Sequence, residues 1–231
     1  LNLSSQGASL EFWLKKSSFP AVAVGAREVI FDVSTGAASS SAGYGRFRLE
    51  LSGNLTDGSS PVQLTAMSGT AGIYRQSIAA TTFTSASIAD NNWHHYAVTV
   101  KSSGTDLVTK FYVDGYLNKE TTFSGKAVAD LDSTTLRGYV GALSAPVSGA
   151  TTPSSTAAGD GKLAASLDEF RYWKTQRTSK EIGRFWFTQV GGGVNSDPQP
   201  FIETLESGNV DLGVYYKFNE GVTGENTIDD N

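Results

Sequence analysis

The chain contains no cysteine. That excludes a disulfide scaffold and thiolate zinc sites, and it leaves stability to packing and to oxygen-ligated cations. Histidine is nearly as scarce: His94 and His95 are the only two, so a histidine-rich metal centre has no third imidazole to draw on. No apolar run approaches the roughly 18 residues of a membrane span, and the start shows no basic segment followed by an apolar stretch. No membrane span is therefore expected. Charged residues make up only 18%, the basic ones are scattered singly, and the net charge is −5. Neither a nucleic-acid footprint nor a patch for anionic lipid is present, which argues against nucleic-acid partners. The chain begins at Leu1 rather than Met and ends in Ile228-Asp229-Asp230-Asn231, which reads as a piece of a longer polypeptide.

What is abundant is Gly, Ser and Thr, with 39% hydrophobic residues over 231 positions, a composition of short strands and many turns. Alternation with period two, or enrichment in aromatic and β-branched residues, marks strands at 8–15, 28–34, 44–52, 62–68 and 72–79. Further segments follow at 94–101, 107–115, 135–143, 166–173 and 212–218. Ten strands fit a two-layer antiparallel sandwich, an all-β jelly roll. Asp114-Gly115 supplies the positive φ of a hairpin turn, and KSSGTD (101–106) and TDGSS (56–60) are further turns. Thr178 and Glu181 form a capping box, with Ile182, Phe185 and Trp186 as one apolar stripe, so a short helix should lie on the sandwich. SAPVSGATTPSSTAAGDGK (144–162) reads as a loop and GGGVNSDPQP as a linker. The expected organisation is a sandwich over 1–190 and a linker over 191–210. Residues 211–231 then either complete the sandwich or begin a truncated second repeat.

Neighbouring side chains of a strand diverge, so His94 and His95 cannot face one metal ion. One ring should pack beneath the sheet and the other lie half exposed. Catalysis has no support in spacing: there is no E-x-D-x-x-E pattern, no G-x-S-x-G elbow and no phosphate loop, and adjacent Asp168 and Glu169 should diverge. The chain reads as a non-enzyme. On strict alternation Asp168 shares a face with Phe170 and Tyr172, while Glu169 joins Leu167, Arg171 and Trp173. A carboxylate on an aromatic face must be hydrogen-bonded, paired or cation-bound. Two readings stay open: Asp168 ties down loop amides or pairs with Arg137, or it ligates calcium at the rim together with Asp160. Calcium is the one cofactor this pattern admits. Exposed aromatics on a flat sheet hold sugar rings, with polar neighbours supplying hydrogen bonds. Tyr74, Arg75 and Gln76 form such a platform, Trp173 is a further candidate ligand contact, and Tyr44 and Tyr139 are others.

WHHYAVTV, a turn and then KFYVDGYLNKE resemble the signature hairpin of laminin-G-like, pentraxin-like domains of the concanavalin A-like superfamily. SLDEFRYWKTQRTSKEI is similar to that family's I-D-E-V-R-I-Y strand and capped helix, and SLEFWLKK to its opening F-T-[IV]-x-x-W-[VI]-K strand. Together these motifs cover about Ala8 to Thr188. The resemblance implies a jelly roll of two curved sheets with ligand or calcium sites at rim loops, although the family's acidic calcium positions are matched only at Asp168. It implies a noncatalytic lectin-like or adhesion module at an extracellular surface or virion, recognising a glycan or another cell-surface ligand. The alternative is a purely structural module contacting neighbouring subunits of a capsid or tail, since the scaffold alone fixes no function. WFTQVGGGVNSD followed by LGVYYKFNEG also resembles segments of structural proteins of tailed phages.

Overall fold

Alternation along the strands separates apolar from charged side chains onto opposite faces, and two apolar faces meet to form the core. The computed structural model describes residues 3–20, 27–37, 41–53, 55, 59–131, 136–147, 157–188, 190 and 211–218. The elements in chain order are β1 (Ala8–Lys15), β2 (Arg27–Ser34), β3 (Gly45–Ser52), β4 (Val62–Ser68), β5 (Ala71–Ser77) and α1 (Ser85–Ile88). They continue with β6 (Trp93–Ser103), β7 (Asp106–Val113), β8 (Tyr116–Phe123), β9 (Arg137–Val140), β10 (Ser166–Trp173), α2 (Ser179–Phe185) and β11 (Leu212–Tyr216). Every expected strand is present, three of them (β1, β4 and β10) with the expected ends and the others with ends shifted by a few residues. A six-stranded sheet runs β11-β10-β1-β6-β7-β8 and a five-stranded sheet β5-β4-β3-β2-β9. All pairings are antiparallel. The chain is thus an all-β jelly-roll sandwich.

β8 and α1 lie outside the ten expected strands and one helix. YLNKETTF carries polar residues in both phases because β8 is an edge strand, with Tyr116 and Leu117 exposed. Its Glu120 pairs with Lys110 at 3.2 Å, charges that also discourage edge-to-edge association. β11 lies beside β10, pairing Tyr172 with Val214 and Phe170 with Tyr216. The expected linker over 191–210, residues 219–231, and parts of the 56–60 turn, the 144–162 loop and the phage-like segment lie outside the described residues.

Leu10, Phe12 and Leu14 of β1, Phe47, Leu49 and Leu51 of β3, and Tyr96, Val98 and Phe111 of the β6–β7 hairpin share one buried cluster, with Val113 packed against it. The outer faces of β2 and β3 are buried too. β2 and β3 are buried at every position, so their outward charges lie under loops and must be paired. Asp32 takes Arg46 bidentately, Nε to Oδ1 at 2.8 Å and Nη2 to Oδ2 at 2.5 Å, and Arg46 also donates to the carbonyls of Ala145 and Pro146. Glu50 is held between Arg48 and Arg75. Lys16 reaches Glu28 at 2.7 Å.

On the six-stranded sheet the cover is α2. Thr178 accepts from the Glu181 amide and Glu181 returns to the Thr178 amide, closing the capping box. Ile182 is buried against Ala97 and Tyr112 on the outer side of β6 and β7, and Tyr112 shares a hydrogen bond with Ser179 at 2.8 Å. The β7–β8 turn is matched to this cover. Asp114 and Gly115 have φ of 49° and 79°, and a Cβ at Gly115 would come within 2.3 Å of the Trp186 ring.

Replacing Asp32 by Ala strands Arg46 in a dry environment. Chemical denaturation should register a loss of about 3–5 kcal/mol, whereas Lys119→Ala on β8 should stay within about 0.5 kcal/mol of the parent.

Candidate functional site

β10 departs from strict alternation at one residue. Glu11 pairs with Arg171 and Trp13 with Asp168, so two β10 residues, Glu169 and Phe170, stand opposite Phe12. Glu169 has φ of 50°, the left-handed conformation of a bulge. The phase of the strand reverses there. Asp168, expected beside Phe170 and Tyr172, instead faces outward with Glu169 and Arg171, and Leu167, expected outward, packs against the core. The backbone hydrogen bond that steadies the bulge comes from Asp168 itself, whose Oδ1 accepts from the Glu169 amide at 2.8 Å.

The outward turn of Asp168 helps to line a hollow of about 310 Å³ together with Trp13, Trp93, Glu169, Arg171, Phe187 and Thr188. Trp93 and Phe187 are 42% and 64% exposed. Behind them Trp13 lies 5.4 Å from Trp186, which lies 5.6 Å from Phe187, ring centre to ring centre. Arg171 forms the floor and is 1% exposed. Its Nη2 donates to Glu169 Oε2 at 2.7 Å and to the Thr188 carbonyl at 2.5 Å, while its Nε has no hydrogen-bond partner among the described residues. The Tyr215 hydroxyl also donates to Glu169, at 2.5 Å; burial, reinforced by Glu169, pushes that hydroxyl up and keeps it a donor. A buried donor without a partner costs roughly 1–3 kcal/mol and so calls for a ligand or solvent acceptor. Asp168 is raised above the usual carboxylate range, chiefly by burial and further by Glu169, against the opposing Glu169 amide and Arg171.

The other candidate residues are not brought to this hollow. Tyr74, Arg75 and Gln76 lie on β5 at the edge of the five-stranded sheet. Tyr74 is exposed, with the Arg48 guanidinium 5.7 Å from its ring centre, but Arg75 is engaged by Glu50 at 2.5 Å and by Ser52 at 3.3 Å. Gln76 donates to the Tyr74 carbonyl at 3.2 Å. Trp173 is not the exposed platform expected from its position in β10. It is 4% exposed, because Arg177 folds back to place its guanidinium 4.4 Å from the ring centre. Tyr44 is buried and Tyr139 half exposed. Asp160 accepts the Ala157 amide at 2.9 Å in a loop bonded to β2, in the opposite layer from Asp168, so the two carboxylates do not form one calcium ligand set. Among the described residues no three His, Asp or Glu side chains converge on a common point for a metal. The expected pairing of Asp168 with Arg137 is likewise replaced by the bond to its neighbour's amide.

The two histidines diverge as strand geometry requires. His95 is buried beside Trp13 and Trp186, 3.5 Å from Glu11. His94 is bracketed, Nδ1 to Asp114 at 2.7 Å and Nε2 to Asp90 at 2.9 Å. A neutral imidazole has one N–H, so two carboxylates favour the imidazolium. Burial alone would lower His94, but the two carboxylates outweigh it and raise it above its ordinary 6.5. The His94 contact in turn holds Asp90 down at about 2.

The chain belongs to the concanavalin A-like lectin/glucanases superfamily: a laminin G family model matches residues 1–183. The full extracellular region of zebrafish Gpr126/Adgrg6 superposes with a TM-score of 0.50 at 16% identity, over 79% of this chain and 20% of that one. The chain thus spans about a fifth of that protein, and the likeness is one of fold. The CBM40 of the Ruminococcus gnavus IT-sialidase, bound to α2,3-sialyllactose, gives 0.45 at 12% identity over 78% of this chain and 82% of that one. A heptameric SAP-like pentraxin from Limulus polyphemus gives 0.43 at 11% identity over 77% and 68%. No curated protein matches the chain in sequence.

Two measurements check this geometry. The imidazolium of His94 stabilises the fold below its ordinary value, and that contribution is lost as pH rises through the raised folded-state value. His94→Gln should therefore cost roughly 1 kcal/mol at acidic pH and less at alkaline pH in urea midpoints. Ionised Asp168, by contrast, opposes folding once pH rises through its raised value. Asp168→Asn, which keeps the acceptor for the Glu169 amide, should leave the melting temperature at neutral pH unchanged or higher; a marked fall would make Asp168 a structural residue.

Proposed function

We propose that this chain is a noncatalytic glycan-binding module, acting at an extracellular surface, whose ligand enters the hollow between Trp93, Phe187 and Arg171. The observation that carries this reading is the hollow itself, which brings the exposed rings of Trp93 and Phe187 together with the polar side chains of Asp168 and Arg171. Sugars present apolar CH faces and hydroxyl acceptors together, and a wall of aromatic rings over a hydrogen-bonding floor complements both. Membership in a superfamily that includes lectins supports it.

The same superfamily includes glucanases, and two carboxylates line the hollow. Glycoside hydrolysis needs one carboxyl that carries a proton to the leaving group and a second that attacks or activates water. Glu169 is engaged through Oε2 by both Arg171 and Tyr215, so it does not stand free to attack or to activate water. Asp168 alone does not make the pair. The reading is therefore binding without cleavage.

A second reading, a module that packs against neighbouring structural subunits, is favoured by Tyr216 and Phe218. They are 50% and 46% exposed beside an apolar cleft of about 510 Å³ lined also by Phe31, Val140 and Phe170. A glycan array probed with the chain separates the two. Reproducible hits that weaken roughly tenfold in Trp93→Ala and in Phe187→Ala, but persist in Tyr74→Ala, support the hollow as the site. Silence across diverse sugars, with self-association in sedimentation that Tyr216→Ser abolishes, supports the structural module.

A further inference from the structure

Among the described residues the charges that line the hollow do not balance. Asp168 and Glu169 line it with one cation, Arg171. Arg171 is taken by Glu169 at 2.7 Å, and Tyr215 donates to that same carboxylate oxygen at 2.5 Å. Asp168 spends Oδ1 on the Glu169 amide at 2.8 Å, and no described group donates to its Oδ2. The uncompensated group at the site is therefore a carboxylate, and it stands in the same hollow as Trp93 and Phe187. Aromatic faces attract cations through the ring quadrupole, and a partly desolvated carboxylate gains more from a cation than one in bulk water. Both features repel an anion.

We propose that the hollow selects sugars bearing a free, protonated amine, with Asp168 pairing the ammonium, and that it rejects acidic sugars. This inference rests on the glycan reading and sets the charge of the ligand. The sugar ring lies against Trp93 and Phe187, and the amine faces Asp168 Oδ2. Asp168 is a specificity residue in this scheme.

The test is calorimetric titration of the 231-residue chain with four probes: glucosamine oligomers, N-acetylglucosamine oligomers of equal length, sialyllactose, and cyclohexylammonium as an amine without a sugar. The expected result at mildly acidic pH is glucosamine oligomers binding roughly five- to tenfold more tightly than their acetylated counterparts, with sialyllactose weakest. Asp168→Asn should erase that preference while leaving the acetylated oligomers bound. Equal binding of the two oligomers, or a preference for sialyllactose, overturns the charge inference and leaves the glycan reading standing. Binding of cyclohexylammonium with no sugar bound overturns the glycan reading and supports the charge selection. A preference for glucosamine that survives Asp168→Asn removes Asp168 from the role, and failure of all four probes overturns both readings.

Discussion

A carboxylate buried in the outer face of a sheet has to be paired, and Glu11 shows how much structure that requirement organises. Glu11 is fully buried, and Arg177 reaches it at 2.5 Å from the segment that follows β10. Burial alone would raise its carboxyl; Arg177 above all, with His95 and Arg171, holds it down at about 2. Ser9, one step along the same outward face, donates to the Thr175 carbonyl and accepts from the Arg177 amide, both at 2.8 Å. The chain is thereby tied across β1 just before Thr178 caps α2. α2 then lies over the sheet, and the residues after it deliver Phe187 and the Thr188 carbonyl to Arg171. The wall of the hollow is thus a consequence of an ion pair beneath it.

The five-stranded sheet follows the same logic with different partners. Asp32 gathers Arg46 and also accepts from the Ser144 amide and hydroxyl, at 2.7 and 2.9 Å, so a loop is pinned across the outside of β2 and β3. Buried ion pairs of this kind are weak contributors to net stability, since desolvation offsets most of the attraction, but leaving one member unpaired is costly. Their effect is to make each cover dock in one place. The apolar layers supply the free energy of folding, and the charged outer faces determine which loops and which helix lie where.

Most of the sandwich was legible because its strands bury one apolar phase. ASLEFWLK and VQLTAMS match β1 and β4 at both ends. The capped helix was legible because Thr178 and Glu181 satisfy each other locally, without tertiary help. β8 was hidden because an edge strand has no buried phase to reveal it. Asp168 was assigned to the wrong face for a different reason: a bulge usually announces itself with glycine, and here Glu169 adopts the left-handed conformation. Arg75, Asn91, Asp114 and Phe218 are other non-glycine residues in that region. Trp173 appeared available because nothing in sequence tells that Arg177 returns over its ring. Trp93 and Phe187, which do line the hollow, stand at the start of a strand and just past a helix, positions where local pattern does not distinguish an exposed ring from a buried one.

The most direct test of this account is the ionisation of Glu11, followed by carbon-detected NMR of its carboxyl as the pH is lowered. Glu11 should remain charged until about 2, well below its ordinary 4.5, and the Arg177 guanidinium resonances should shift in the same step. Titration of Glu11 near the ordinary value, with Arg177 unaffected, would show that the carboxylate is solvated rather than clamped, and the cover over the hollow would then need another cause.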